Sequence, residues 1–170
     1  VAKKKLRSQR PASWILKTAY HEAGHAVVAE VLGRRVKFVE IDSGGGLMRT
    51  QSLPKFDLRR SPRSLGERWE REREAIIYFA GLIAEEGLTG KRTLSGVGND
   101  FDAVERILRH RHAREAEVTA YGRWLYERSV SILQKNWAAV ERLAEALATV
   151  RKINGKTVRK LIGKIQTERL

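Results

Sequence analysis

No cysteine occurs in the 170 residues. Disulfides and thiolate metal sites are excluded, so any metal must be held by imidazole and carboxylate groups. Proline is scarce, with Pro11, Pro54 and Pro62 the only three, and nothing after Pro62 forbids long helices. Long apolar runs are missing as well. The longest, Ala75 to Ala84, is far below the ~20 residues that cross a bilayer. The first twenty residues lack the apolar stretch of a signal peptide. The expectation is a soluble, cytoplasmic protein with no membrane segment, long enough to bury a core without staples.

Charge of one sign is abundant but unevenly placed. Of the formal +14, much sits at the ends: residues 1–17 carry six Lys or Arg and no acid, and residues 151–170 carry seven against Glu168. The body between them is nearly neutral. Basic ends of this kind can attract an anionic partner (nucleic acid, an anionic membrane or an acidic protein), or they can simply be solvated. Residues 1–12 read as a basic flexible arm and 13–170 as a single folded domain.

The organising stretch is His21-Glu22-Ala23-Gly24-His25. Residues four apart on a helix share a face, with Cβ atoms roughly 5–6 Å apart, so both imidazoles can reach one metal ion at the ~2.0–2.1 Å that zinc takes from histidine. Glu22 points elsewhere and suits a general base acting on water, as in H-E-x-x-H peptidases. Nothing from Ser13 to Leu32 breaks a helix. Two core histidines in chance register is the competing explanation, and the helical context argues against it.

Around this stretch, Ser13 reads as a helix N-cap and Gly33 as the C-terminal stop. Val36–Asp42 is rich in β-formers but its alternation changes phase, which predicts a bulged strand. Gly44-Gly45-Gly46 then predicts a turn, with Leu47–Leu53 returning as a hairpin; no helix follows as a phosphate loop would require. After a basic loop, a helix from Ser64 is nearly all charge over Glu67–Glu74, expected to face water, and apolar over Ala75–Ala84, expected to be buried. It delivers Glu85 and Glu86 to its inner end. Following a glycine-rich loop over Gly87–Gly98, Asn99 reads as the cap of a helix to about His112, with Phe101, Val104, Ile107 and Leu108 inward. Further helices follow over 113–136 and 137–150, and Asn154 caps a last short one with Lys156, Lys160 and Lys164 outward. Gly155-Lys156-Thr157 is not a Walker A loop, since Val150 stands where the leading glycine belongs. The fold class is mainly α with a small β-hairpin.

Zinc in a catalytic site takes three protein ligands. Val28 and Val31 stand where a metzincin has its glycine and third histidine, so the third ligand lies farther on: Glu85, Glu86, Asp100, Asp102, His110 or His112. Spacing alone does not choose among them.

Three segments resemble the peptidase domain of the FtsH family: Tyr20-His21-Glu22-Ala23-Gly24-His25-Ala26-Val27-Val28-Ala29; Ala80-Gly81 followed by Ala84-Glu85-Glu86; and Gly96-Val97-Gly98-Asn99-Asp100. The hairpin ending in Leu53-Pro54 and the region of Tyr126-Glu127-Arg128 are also similar. The resemblance implies a helical zinc peptidase domain without its AAA+ module. It makes His21, His25 and Asp100 the metal ligands, Glu22 the catalytic base, and Glu85 and Asn99 outer residues that support the ligands. Ala80 departs from the family pattern, which has glycine there. The implied activity is hydrolysis of peptide bonds in unfolded or flexible proteins, with zinc as cofactor and a separate AAA+ ATPase as a candidate partner. An exposed Leu47–Leu53 edge would pair with an extended peptide. The alternative is a non-catalytic zinc-bearing basic module that docks nucleic acid or an acidic partner; a base beside the histidines argues against it. The oligomeric state is left open.

Overall fold

The computed structural model describes residues 12–42, 45–50, 60, 62–91, 98–109 and 114–165. These form six helices and a three-stranded antiparallel sheet. The basic arm, the basic loop before Pro62, the centre of the glycine-rich loop, His110, His112 and the last five residues lie outside them. None of the helices is long and apolar enough to cross a membrane.

Helix α1 (Ala12–Val31) carries the histidine motif. It begins at Ala12, so Ser13 lies in its first turn and is not its cap. Its other end is closed as the sequence predicts. Gly33 adopts φ 78°, its N–H bonds to Glu30 O at 3.1 Å, and the Arg34 N–H reaches back to Ala29 O at 2.8 Å. This double closure needs a left-handed residue, which glycine supplies without Cβ strain.

Strand β1 (Val36–Asp42) pairs with β2 (Gly45–Thr50). The predicted bulge is present, with the register shifting between Val36 and Phe38; this leaves Val36, Val39 and Ile41 all buried. Strand β2 begins earlier than expected, with Gly45 and Gly46 already paired with Asp42 and Ile41. Residues 51–53 of the expected return strand lie outside the described residues. A third strand, β3 (Lys152–Asn154), was not anticipated; it pairs with β1 through Ile153 and Val39. Three residues are too few to show a period, and Arg151 at φ 65° turns the chain there. The order β2-β1-β3 leaves β2 on an edge.

Helix α2 (Leu65–Thr89) starts as read, with the Ser64 hydroxyl accepting from the Glu67 N–H, but runs through Gly87, where the loop was expected to begin, and stops at Gly90 in the left-handed region. Its charged half departs from expectation. Arg71, Glu72 and Glu74 are buried. Arg34, itself buried, pairs with Glu70 at 2.6 Å and Glu74 at 2.5 Å; Arg71 pairs with Glu67 at 2.7 Å, and the Tyr121 hydroxyl donates to Glu72. The loop after α1 and helix α4 cover this stretch, and its buried charges are matched by Arg34 from that loop, by Glu67 of α2 itself and by the Tyr121 hydroxyl from α4, as burial of ions requires.

Helix α3 (Gly98–Arg109) begins one residue before the predicted cap, so Asn99 falls in its first turn. Val104, Ile107 and Leu108 are buried with Ala103, but Phe101 is exposed. Helices α4 (Glu115–Lys135) and α5 (Trp137–Val150) bury Val118, Leu125, Ile132 and Leu133, and Val140, Leu143 and Leu147. The last helix, α6 (Gly155–Ile162), is capped by Asn154, whose side chain accepts from the Thr157 N–H. Lys156 and Lys160 are exposed on it, and Lys164 is exposed just beyond its end.

Helix α1 is central and packs mainly on α2 and α5. Gly24 makes the α1–α2 approach possible: a Cβ there would lie 2.5 Å from the Ala80 carbonyl oxygen and 2.7 Å from the Ala84 Cβ. Gly24→Val is therefore expected to destabilise the fold by about 1–3 kcal/mol through overpacking. Urea unfolding followed by circular dichroism checks this, and an unchanged midpoint would contradict the close approach.

A candidate metal centre between the first three helices

The geometry of α1 places His21 and His25 on one face, one turn apart, with ring centroids 4.5 Å apart and planes at 84°. Their Nε2 atoms are 2.9 Å from each other. Asp100, in the first turn of α3, brings Oδ2 to 3.0 Å from His21 Nε2 and 3.2 Å from His25 Nε2. Tetrahedral donors on ~2.0–2.1 Å bonds stand roughly 3.3 Å apart. The three atoms thus form a triangle close to one face of such a tetrahedron.

The other ring nitrogens decide what this triangle can hold. His25 Nδ1 donates to the Ile77 carbonyl oxygen at 2.7 Å, which can only accept. His21 Nδ1 lies 3.0 Å from Glu85 Oε1. Burial alone would raise the Glu85 pKa, but hydrogen bonds from His21 and Lys17 lower it, so this carboxylate is ionised and accepts too. With both Nδ1 positions holding hydrogens, neutral imidazoles present two Nε2 lone pairs to each other and to a carboxylate oxygen. Three converging acceptors need a cation among them.

In the metal-free protein a proton fills that need. Burial, the largest influence, disfavours a charged His21, but hydrogen bonds to Asp100 and Glu85 outweigh it and hold the pKa up at about 10. Asp100, which burial would raise, is held well below the usual carboxylate range by its hydrogen bonds to His21 and His25. A divalent cation satisfies the same three atoms by displacing the proton.

Room for a cation is also provided. A Cβ on Gly81 would lie 2.5 Å from His25 Nε2 and 2.6 Å from His21 Nε2. The missing side chain in α2 therefore leaves open the space next to both donor atoms. The donor set and this cradle fit a metal with a nitrogen and oxygen preference such as zinc.

Glu22 is 5 % exposed and lies beneath the edge strand, where a Cβ on Gly46 would run into its carboxyl group. Burial pushes its pKa up, with His25 and His21 acting in the opposite direction. A carboxyl group poised to exchange a proton nearer neutral pH results.

Other candidates from the sequence are placed elsewhere. Glu86 turns away and accepts from the Tyr126 hydroxyl at 2.9 Å. Asp102 is exposed on α3 and is not in the cluster of His21, His25 and Asp100, the group of potential ligands found among the described residues. His110 and His112 fall outside those residues, as does the Asn99 side chain. The Ile77 carbonyl and Lys17 were not singled out by sequence reasoning, and Gly81 and Gly46 entered it only as part of a family-like segment and of a turn. A backbone carbonyl and the space beside a glycine leave no mark in residue type.

Comparison with known proteins finds similarity to zinc metalloproteases. The chain is 30 % identical over 166 residues to an ATP-dependent zinc metalloprotease, the YME1 homolog of Schizosaccharomyces pombe, covering 78 % of this chain and 22 % of that protein. It is 36 % identical over 96 residues to the ATP-dependent zinc metalloprotease FtsH 4 of Sorangium cellulosum, covering 54 % of this chain and 14 % of that one. With FtsH 1 of Thermomicrobium roseum, also an ATP-dependent zinc metalloprotease, identity is 34 % over 99 residues, 55 % of this chain and 14 % of the relative. No protein-family model matches. The chain spans about a fifth or less of the length of these curated relatives, and its similarity to them is to zinc metalloproteases of the FtsH and YME1 kind.

Proposed function

We propose that this chain is a zinc-dependent metalloendopeptidase of FtsH-like type. The observation that carries this reading is the convergence of three acceptors, His21 Nε2, His25 Nε2 and Asp100 Oδ2, on the space beside Gly81, with buried Glu22 one residue along α1. Zinc bound there supplies Lewis acidity toward the scissile carbonyl and toward the hydrolytic water.

The chain's own residues do the rest. His21 and His25 bind through Nε2 as neutral rings, oriented by Glu85 and the Ile77 carbonyl. Asp100 contributes a single negative charge, so the centre stays net positive. Glu22 accepts the proton of the hydrolytic water and hands it to the leaving amine; the burial that raises its pKa favours both halves of that transfer. Strand β2 is at the edge of the sheet, and among the described residues nothing pairs with its outer side. An extended peptide adds there as a further strand, over the Glu22 carboxyl.

Edge pairing requires an extended backbone, which stably folded domains rarely present. Unfolded or flexible polypeptides are therefore the proposed substrates. The relatives are named as ATP-dependent; a separate AAA+ module is the proposed source of unfolding for folded targets.

Purified protein loaded with zinc is expected to cut unfolded casein in a chelator-sensitive manner and to leave a stably folded domain intact. Glu22→Gln should retain zinc and the fold while cleavage falls by about 10²-fold or more, the scale of general-base loss; undiminished cleavage removes Glu22 from the chemistry. Gly81→Ala tests the cradle. The new methyl would meet both imidazoles, so the rings must shift; zinc binding should weaken at least about tenfold in chelator competition, and the melt of the metal-free variant reports the accompanying cost to the fold.

A further inference from the structure

The two histidines are held by different kinds of partner. His25 Nδ1 donates to the Ile77 carbonyl oxygen, part of the backbone of α2, which cannot swing away. His21 Nδ1 donates to Glu85 Oε1, the end of a side chain with several rotatable bonds. A ligand is only as well oriented as the group that holds it, so Glu85 itself needs an anchor.

Lys17 provides one. It precedes His21 by four residues, so both project from the same face of α1. Glu85 follows Gly81 by four on α2 and meets both. Its Oε1 takes the His21 Nδ1 hydrogen at 3.0 Å, and its Oε2 lies 3.1 Å from Lys17 Nζ. Each carboxylate oxygen is engaged by a different α1 side chain, which fixes the plane of the carboxylate and keeps Oε1 on the imidazole. The Glu85 side chain is 14 % exposed and that of Lys17 33 %, so the chain of contacts runs from the surface to the donor triangle.

We propose that Lys17 is a positioning residue for the metal centre, acting through Glu85 to hold His21 with Nδ1 protonated and Nε2 free to bind. This rests on the metal-binding reading above and adds to it a residue one contact further from the donors. Direct outer partners of a ligand are worth about 10–100-fold in metal affinity. Lys17 acts at one remove and is partly solvated, so its loss should weaken zinc binding roughly three- to tenfold.

The test is a chelator-competition titration of zinc on the metal-free full chain, comparing wild type, Lys17→Met, Lys17→Arg, Glu85→Gln and the double variant Lys17→Met/Glu85→Gln. Thermal melts of the metal-free proteins report any general loss of fold. Expected are a three- to tenfold loss for Lys17→Met without a change in the metal-free melt, recovery in Lys17→Arg, and no further loss on adding Lys17→Met to Glu85→Gln. An unchanged affinity in Lys17→Met, failure of the arginine to recover it, or an equal loss in the Glu85→Gln background would overturn the proposal. Absence of zinc binding by wild type would instead overturn the metal reading, and the role of Lys17 with it. A wild type that binds zinc but cuts no peptide would leave Lys17 standing and refute only the peptidase assignment.

Discussion

Everything at the centre depends on how closely α1 lies against α2. Gly24 has no side chain where the Ala80 carbonyl and Ala84 methyl come in, and Gly81 has none where the two Nε2 atoms come out. One glycine on each helix therefore does two things: it brings the backbones together and it keeps the space between the imidazoles clear. Ala80 is compatible with this arrangement because the room is made from the α1 side, at Gly24. A methyl group on Gly24 would meet the backbone and a methyl of α2, whereas one on Gly81 would meet the donor atoms themselves.

Helix α2 is also a lesson in what burial does to charge. Its first half hides Arg71, Glu72 and Glu74, and its second half presents Glu85 to His21. In the first half every buried charge meets an opposite charge or a hydroxyl from its own helix, from the loop after α1 or from α4. Buried pairs of this kind add little net stability compared with apolar packing, but removal of one partner strands the other. In the second half the carboxylate is matched by His21 and Lys17. The two ends of one helix thus use the same electrostatic rule, once to close the core and once to orient a ligand.

The electrostatics of the centre itself follow from acceptors outnumbering donors. Both Nδ1 atoms are committed to partners that only accept, so the Nε2 atoms and Asp100 are left facing each other. A proton on His21 relieves this, which is why its pKa stands near 10 against the opposing effect of burial. A site that must carry a positive charge in either state is predisposed to exchange a proton for a metal ion.

By itself the sequence determined that His21 and His25 share a helix face, that Glu22 does not join them, and where most helices start and stop. Those properties are local: a 3.6-residue period, Ser64 and Asn154 at helix starts, Gly33 as a stop. Residues that could serve as a third ligand were legible only as a list, since a carboxylate 75 residues after His25 has no spacing rule to follow; its place beside the imidazoles comes from the packing of α3 on α2. The same holds for the burial of Glu72 and Glu74, for strand β3, and for the outward turn of Phe101. Charge and period describe one element at a time, whereas whether a face is covered depends on which other element arrives there. Only the tertiary structure decided that Lys17 and His21 share one carboxylate, because Glu85 reaches them from 64 residues beyond His21.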